Sequence, residues 1–200
     1  MTSDPSRDED PVFQDYCRAI GRVAATWAKF EFLVNEFIWL LANVGIREGA
    51  CITAQIVSPI ARFRALISLV GLRGGNQQLI KALNSFSAKA DGIARQRNRV
   101  VHDPWMQDRN TKQFHRIEIT ADRKLNFEFA PVTVEDLTKL VGDINRLGLE
   151  FAKLREQIVA EVPPWPRTQY APSRENHPVR TLSPDTEMTM PRSPPESSQE

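Results

Sequence analysis

The chain has 200 residues, 41% of them hydrophobic and 26% charged, with a formal net charge of +1. That length holds one domain with its own core, and no run approaches the roughly 18 to 20 consecutive apolar residues of a membrane span. The opening MTSDPSRDED is acidic and polar where a secretory leader is basic and then apolar, so a cytoplasmic chain is expected, with no membrane partner.

Residues 1–11 carry no apolar stripe and are expected to be disordered. From Val12 to about Val44 the residues Ile20, Val23, Trp27, Phe30, Val34, Phe37, Ile38 and Leu41 recur at helical spacing, which predicts a long amphipathic helix. A second helix is expected from Thr53 to Leu72, on the stripe Ile56, Ile60, Phe63, Ile67 and Val70, ended by the glycines of RGGN. A third is expected from Gln77 to His102, carrying Leu79, Leu83, Phe86, Ala90, Ile93 and Val100. Pro104 closes it, because a proline pushes the residue before it out of the helical region.

FHRIEIT and LNFEFA alternate apolar with polar residues around ADRK, which predicts a one-sided β-hairpin over about 113–130. Thr133, Glu135 and Asp136 form a cap and acidic first turn for a last helix over 134–162. Residues 163–200 hold nine of the fourteen prolines and few large apolar residues, so a disordered tail is expected. The result is a mainly α chain: four or five helices in a bundle over 12–162, a small hairpin before the last helix, and tails at both ends.

Cys17 and Cys51 sit among apolar residues without C-x-x-C spacing or a histidine partner, and are expected to be buried structural thiols. No zinc spacing and no glycine-rich phosphate cradle occurs, so no metal and no cofactor is expected. His115 falls in a strand and His177 in the tail. The overall charge conceals a basic middle: from Ala61 to Lys112 there are ten Lys or Arg against three Asp, a local net of 10 − 3 = +7.

Two charges interrupt apolar stripes. Glu31 lies about 40° from Trp27 and Arg97 about 40° from Ile93 round their helices. Both therefore point inward, where a lone charge is costly, and pairing of Glu31 with Arg97 between the first and third helices is the economical expectation. His102 shares a face with Asn98 but lies about 140° round from Arg97, so the two converge on one small ligand only if the helix loosens at its Asp103-Pro104 end or a second copy of the chain completes the site.

The run RNRVVH places Asn98 directly after Arg97 and His102 four positions later. It resembles the Arg-x4-6-His motif of the HEPN superfamily, and the helix WAKFEFLVNEFIWLL, with an inward glutamate, is similar to the first helix of many bacterial members. The resemblance covers about residues 12–160, with the hairpin as an insertion. It implies a helical homodimer with its motifs facing across a cleft and, in catalytic members, metal-independent cleavage of RNA. On that resemblance Arg97, Asn98 and His102 form the catalytic set, with Glu31 as the supporting acid of the first helix. Arg95 and Arg99 are expected to hold RNA phosphates. Asp103 stands where many relatives have glycine.

Two functions follow as expectations. The first is an endoribonuclease or RNA-binding component of a toxin or defence system, with an antitoxin or other protein partner. The second is a noncatalytic dimerisation module in which Arg97 and Glu31 brace the core and the tail recruits a partner.

Overall fold

Asp10 caps the first helix: its carboxylate accepts from the backbone N–H of Val12 at 2.9 Å, and Pro11 supplies a preset φ where no N–H is needed. This ordered cap takes Asp10 and Pro11 out of the segment read as disordered. The structure, a computed structural model, describes residues 10–108, 110–122 and 124–163, all within the first of the two units into which the chain divides after Pro166. The expected proline-rich tail lies outside the described residues, apart from Pro163.

Five helices and three strands follow among the described residues: α1 (Pro11–Ala42), α2 (Ile46–Thr53), α3 (Pro59–Leu72), α4 (Gln77–His102), β1 (Trp105–Gln107), β2 (Phe114–Asp122), β3 (Lys124–Pro131) and α5 (Val134–Glu161). The fold is the mainly helical one expected, and α1, α4 and α5 match their stripes to within a residue or two. None of these helices is long and apolar enough to cross a membrane.

The expected second helix is two helices. Pro59 has no N–H to give and forces Ser58 into an extended conformation, φ −90° and ψ 135°, so a helix cannot run through them. Ser58 instead caps α3, accepting from Ala61 N at 3.3 Å. The short α2 is held by contact with α1: a Cβ on Gly49 would lie 2.4 Å from the ring of Trp39, so only glycine permits that approach. The Trp39 indole N–H donates to Thr53 Oγ1 at 3.1 Å, and that hydroxyl donates to Gly49 O at 3.0 Å. This internal pairing satisfies the one buried polar side chain among the described residues.

The core lies where α1, α3, α4 and α5 meet, on the rings of Phe30, Phe63, Phe86 and Phe151. Phe63 and Phe86 stand 5.5 Å apart and Phe86 and Phe151 5.7 Å, so one aromatic cluster joins α3, α4 and α5, and Phe30 ties α1 to it. Both cysteines are exposed, which overturns the expectation of burial. Each flanks the stripe of its helix rather than lying in it: Tyr16 beside Cys17 is buried, and Gly49 and Thr53 form the buried face of α2.

The hairpin is part of a three-stranded antiparallel sheet ordered β1-β2-β3. Trp105 and Phe114 lie on its inner face, and Tyr16 of α1 packs on both, with centroids 6.0 and 4.4 Å away. The Tyr16 hydroxyl donates to Val132 O at 2.7 Å. Burial, then the charges of Glu135 and Asp136, push its pKa above the ordinary tyrosine value.

Candidate functional site

The break between α2 and α3 opens a cavity of about 400 Å³. Its floor is Trp27 of α1, buried in the core, with Glu31 one turn along; Ala54, Val57 and Pro59 of the broken segment form one wall. Arg62 of α3 enters from that side, and Arg97, Asn98 and His102 enter from the end of α4. Four of the residues read from sequence, Glu31, Arg97, Asn98 and His102, thus share one cavity of one chain.

Their pairing differs from expectation. Glu31 Oε1 accepts from Arg62 Nη1 at 2.6 Å, with side chains 27% and 14% exposed, and not from Arg97. Arg62 reaches Glu31 because Pro59 restarts the helix beside α1, three residues before it. Sequence reasoning passed over Arg62 because it lay on a stretch read as uninterrupted helix. The signal was present in the Ser-Pro pair, which marks an N-cap and first helical position.

Arg97 turns the other way. Its Nη1 donates to Asn98 Oδ1 at 2.9 Å and stands 3.4 Å from His102 Nε2. The two residues are about 140° apart on an ideal helix, but the long stem of arginine spans that arc, and His102 is the last residue of α4, where the chain turns extended at Asp103. No second chain is needed to bring them together, which removes the geometric argument for a composite site. A guanidinium has only donors, so the ring nitrogen that faces it presents its lone pair. In a neutral imidazole this arrangement corresponds to the tautomer with its proton on Nδ1.

Arg95 and Arg99 lie outside the cavity lining. Arg95 is exposed and paired with Asp91 one turn back. Arg99 stands 2.9 Å from Glu118 and 3.8 Å from Asp103, and Arg116 bonds Glu118 and stands 3.5 Å from Asp103. Two guanidiniums and two carboxylates balance there and lock the sheet to the end of α4. The charge of Asp103, which sits beside the motif in sequence, is thereby met by arginines and turned toward the sheet. His115, in β2, belongs to that sheet and not to the cavity.

Among the described residues no group of three or more His, Cys, Asp or Glu is placed to hold a metal ion. Compared with models of known families, with characterised proteins and with solved structures, the chain finds no match.

Proposed function

We propose that the cavity binds and cleaves RNA at a phosphodiester, with Arg97, Asn98 and His102 as the reacting set, as the HEPN resemblance implies. The observation that carries the reading is the convergence of these three side chains, with His102 Nε2 3.4 Å from Arg97 Nη1, in a cavity of about 400 Å³. That volume is within the range of small-ligand sites, and its polar groups are of the kind a phosphate needs.

In this reading His102 takes the proton of a ribose 2′-hydroxyl through Nε2. The 2′-oxygen attacks the adjacent phosphorus, the bond from phosphorus to the 5′-oxygen breaks, and water protonates the leaving oxygen. The products are a 2′,3′-cyclic phosphate and a 5′-hydroxyl. Arg97 and the Asn98 amide hold the nonbridging oxygens as charge grows on them. Glu31 compensates Arg62 and fixes its direction, so that Arg62 edges the cavity as a second guanidinium. A homodimer, and an antitoxin or other protein partner, rest on the resemblance alone.

The second reading, a noncatalytic interaction module, is favoured by the exposed apolar face of the sheet. The two divide on one experiment. Purified protein is incubated with an unpaired oligoribonucleotide in excess chelator, and the ends of any fragments are identified. Cyclic phosphate ends that disappear with His102→Ala support the nuclease; an uncleaved oligonucleotide at all protein concentrations favours the module.

A further inference from the structure

Just past β1, the backbone N–H of Asp108 donates to Gln113 O at 2.9 Å, which carries the β1–β2 ladder one step beyond the strands. Side chains alternate along a strand, so Asp108 falls on the side of Met106 and not on that of Trp105. Trp105 packs on Tyr16 of α1, and the side of Met106 is therefore turned away from the bundle. Met106 lies opposite His115 and Ile117 opposite Phe129, which places His115 and Phe129 on that outer side as well. Met106, Asp108, His115 and Phe129 border a hollow of about 280 Å³ whose lining holds a carboxylate and no Lys or Arg.

The carboxylate is fixed in place: Asp108 Oδ1 accepts from the backbone N–H of Asn110 and of Thr111, each at 2.8 Å. These donors, that of Thr111 first, hold its carboxyl below the ordinary aspartate pKa, with the charge of His115 adding least. Asp108 is therefore ionised at neutral pH, and among the described residues it makes no ion pair. The walls beside it are the half-exposed Phe129 ring and Met106. A fixed negative charge next to an aromatic ring and an unbranched apolar side chain is the environment that a cation on an aliphatic stem needs.

We propose that the hollow receives an arginine side chain of a partner polypeptide, with the guanidinium on the Asp108 carboxylate and against the Phe129 ring, and the stem along Met106. The hollow lies just below the roughly 300 to 1,000 Å³ of sites that enclose a whole drug-sized ligand, and suits one long side chain. Arginine fits better than lysine, because its planar group stacks on a ring while it donates to a carboxylate. An RNA phosphate, by contrast, meets a like charge there. Ile119, Leu125 and Phe127 are 52 to 68% exposed on the same face, so the segment that brings the arginine has apolar residues beside it. The hollow and the cavity at the end of α4 share no lining residue, so the proposal stands or falls separately from the cleavage reading.

The test is a titration of the full chain with the peptide acetyl-Leu-Arg-Leu-amide, followed by nuclear magnetic resonance at pH 8 to keep imidazole charge out of the comparison. The same peptide with citrulline in place of arginine has nearly the same shape and no charge. Saturable shifts at the Asp108 amide and the Phe129 and Met106 side chains are expected at millimolar arginine peptide, with the citrulline peptide at least about tenfold weaker. Asp108→Asn keeps an oxygen for the Asn110 and Thr111 N–H groups, so the turn survives; it should weaken the arginine peptide by about tenfold and leave the citrulline peptide unchanged. Phe129→Ala, at a half-exposed position, should weaken the arginine peptide as well. Equal affinity for the two peptides, or no shift at these residues, overturns the proposal. An unpaired oligoribonucleotide that shifts the same signals more strongly than the arginine peptide also overturns it, by giving the face to RNA.

Discussion

Arg62 and Arg97 are both arginines at the edge of one cavity, yet among the described residues only Arg62 has a carboxylate partner, Glu31. A double-mutant cycle should therefore find Glu31 and Arg62 coupled by about 1 to 3 kcal/mol, below the value of a fully buried pair because both side chains keep some water contact. The cycle between Glu31 and Arg97, measured by denaturant unfolding, should give coupling within about 0.5 kcal/mol of zero. Strong coupling in the second cycle and none in the first would reverse the pairing. His102→Ala should cost at most about 1 kcal/mol, since the residue is exposed at a helix end, away from the core. At this scale the sequence was legible in direction but not in partner. The stripe positions of Glu31 and Arg97 showed that both charges turn inward, whereas the choice of partner depended on a helix break that moved Arg62 into reach.

The break after Thr53 shows what periodicity leaves out at the scale of elements. Ile56, Ile60 and Phe63 keep helical spacing across Ser58 and Pro59, so the stripe continues while the backbone does not. The wall of the cavity is built from that interruption. The short β1 was invisible because three residues are too few to show alternation. Stops with a local chemical cause were read correctly: Pro104 after α4, and Thr133 before α5. At the latter, Thr133 Oγ1 accepts from Asp136 N at 3.1 Å and the Asp136 carboxylate accepts from Thr133 N at 3.0 Å, a reciprocal capping box. Thr133→Ala should cost about 1 kcal/mol by thermal or denaturant unfolding at neutral pH. The N–H and then the hydroxyl of Thr133 hold the Asp136 carboxyl below its ordinary pKa. A depressed folded-state value stabilises above the unfolded one, and the contribution is lost as pH falls through the folded value. The penalty of Thr133→Ala should accordingly shrink below about pH 4, and a penalty that stays constant into acid would mean that the box does not form.

At the scale of the whole bundle, one aromatic cluster joins four helices, and the residues proposed to act on RNA line a cavity whose floor, Trp27, packs on Phe30 of that cluster. Phe86→Ala, at the centre of that cluster, should destabilise by about 3 to 5 kcal/mol in denaturant unfolding, because several rings lose their neighbour at once. Cys17 and Cys51 should both react with a thiol reagent in the folded protein, at rates that do not rise on unfolding by the orders of magnitude expected of core thiols. The core and helix order could be read from the stripes because burial repeats along them; the outward apolar face of the sheet could not, since alternation marks a one-sided ribbon without saying which side meets the bundle. The central claim is that one chain gathers Arg97, Asn98 and His102 around a phosphodiester. Its most direct measurement is the initial rate of cleavage of an unpaired oligoribonucleotide, in excess chelator, by wild type and by His102→Ala protein of equal melting temperature. The predicted result is cleavage to a 2′,3′-cyclic phosphate that falls by about a hundredfold or more in the variant. Equal rates in the two proteins, or no cleavage by wild type, would contradict it.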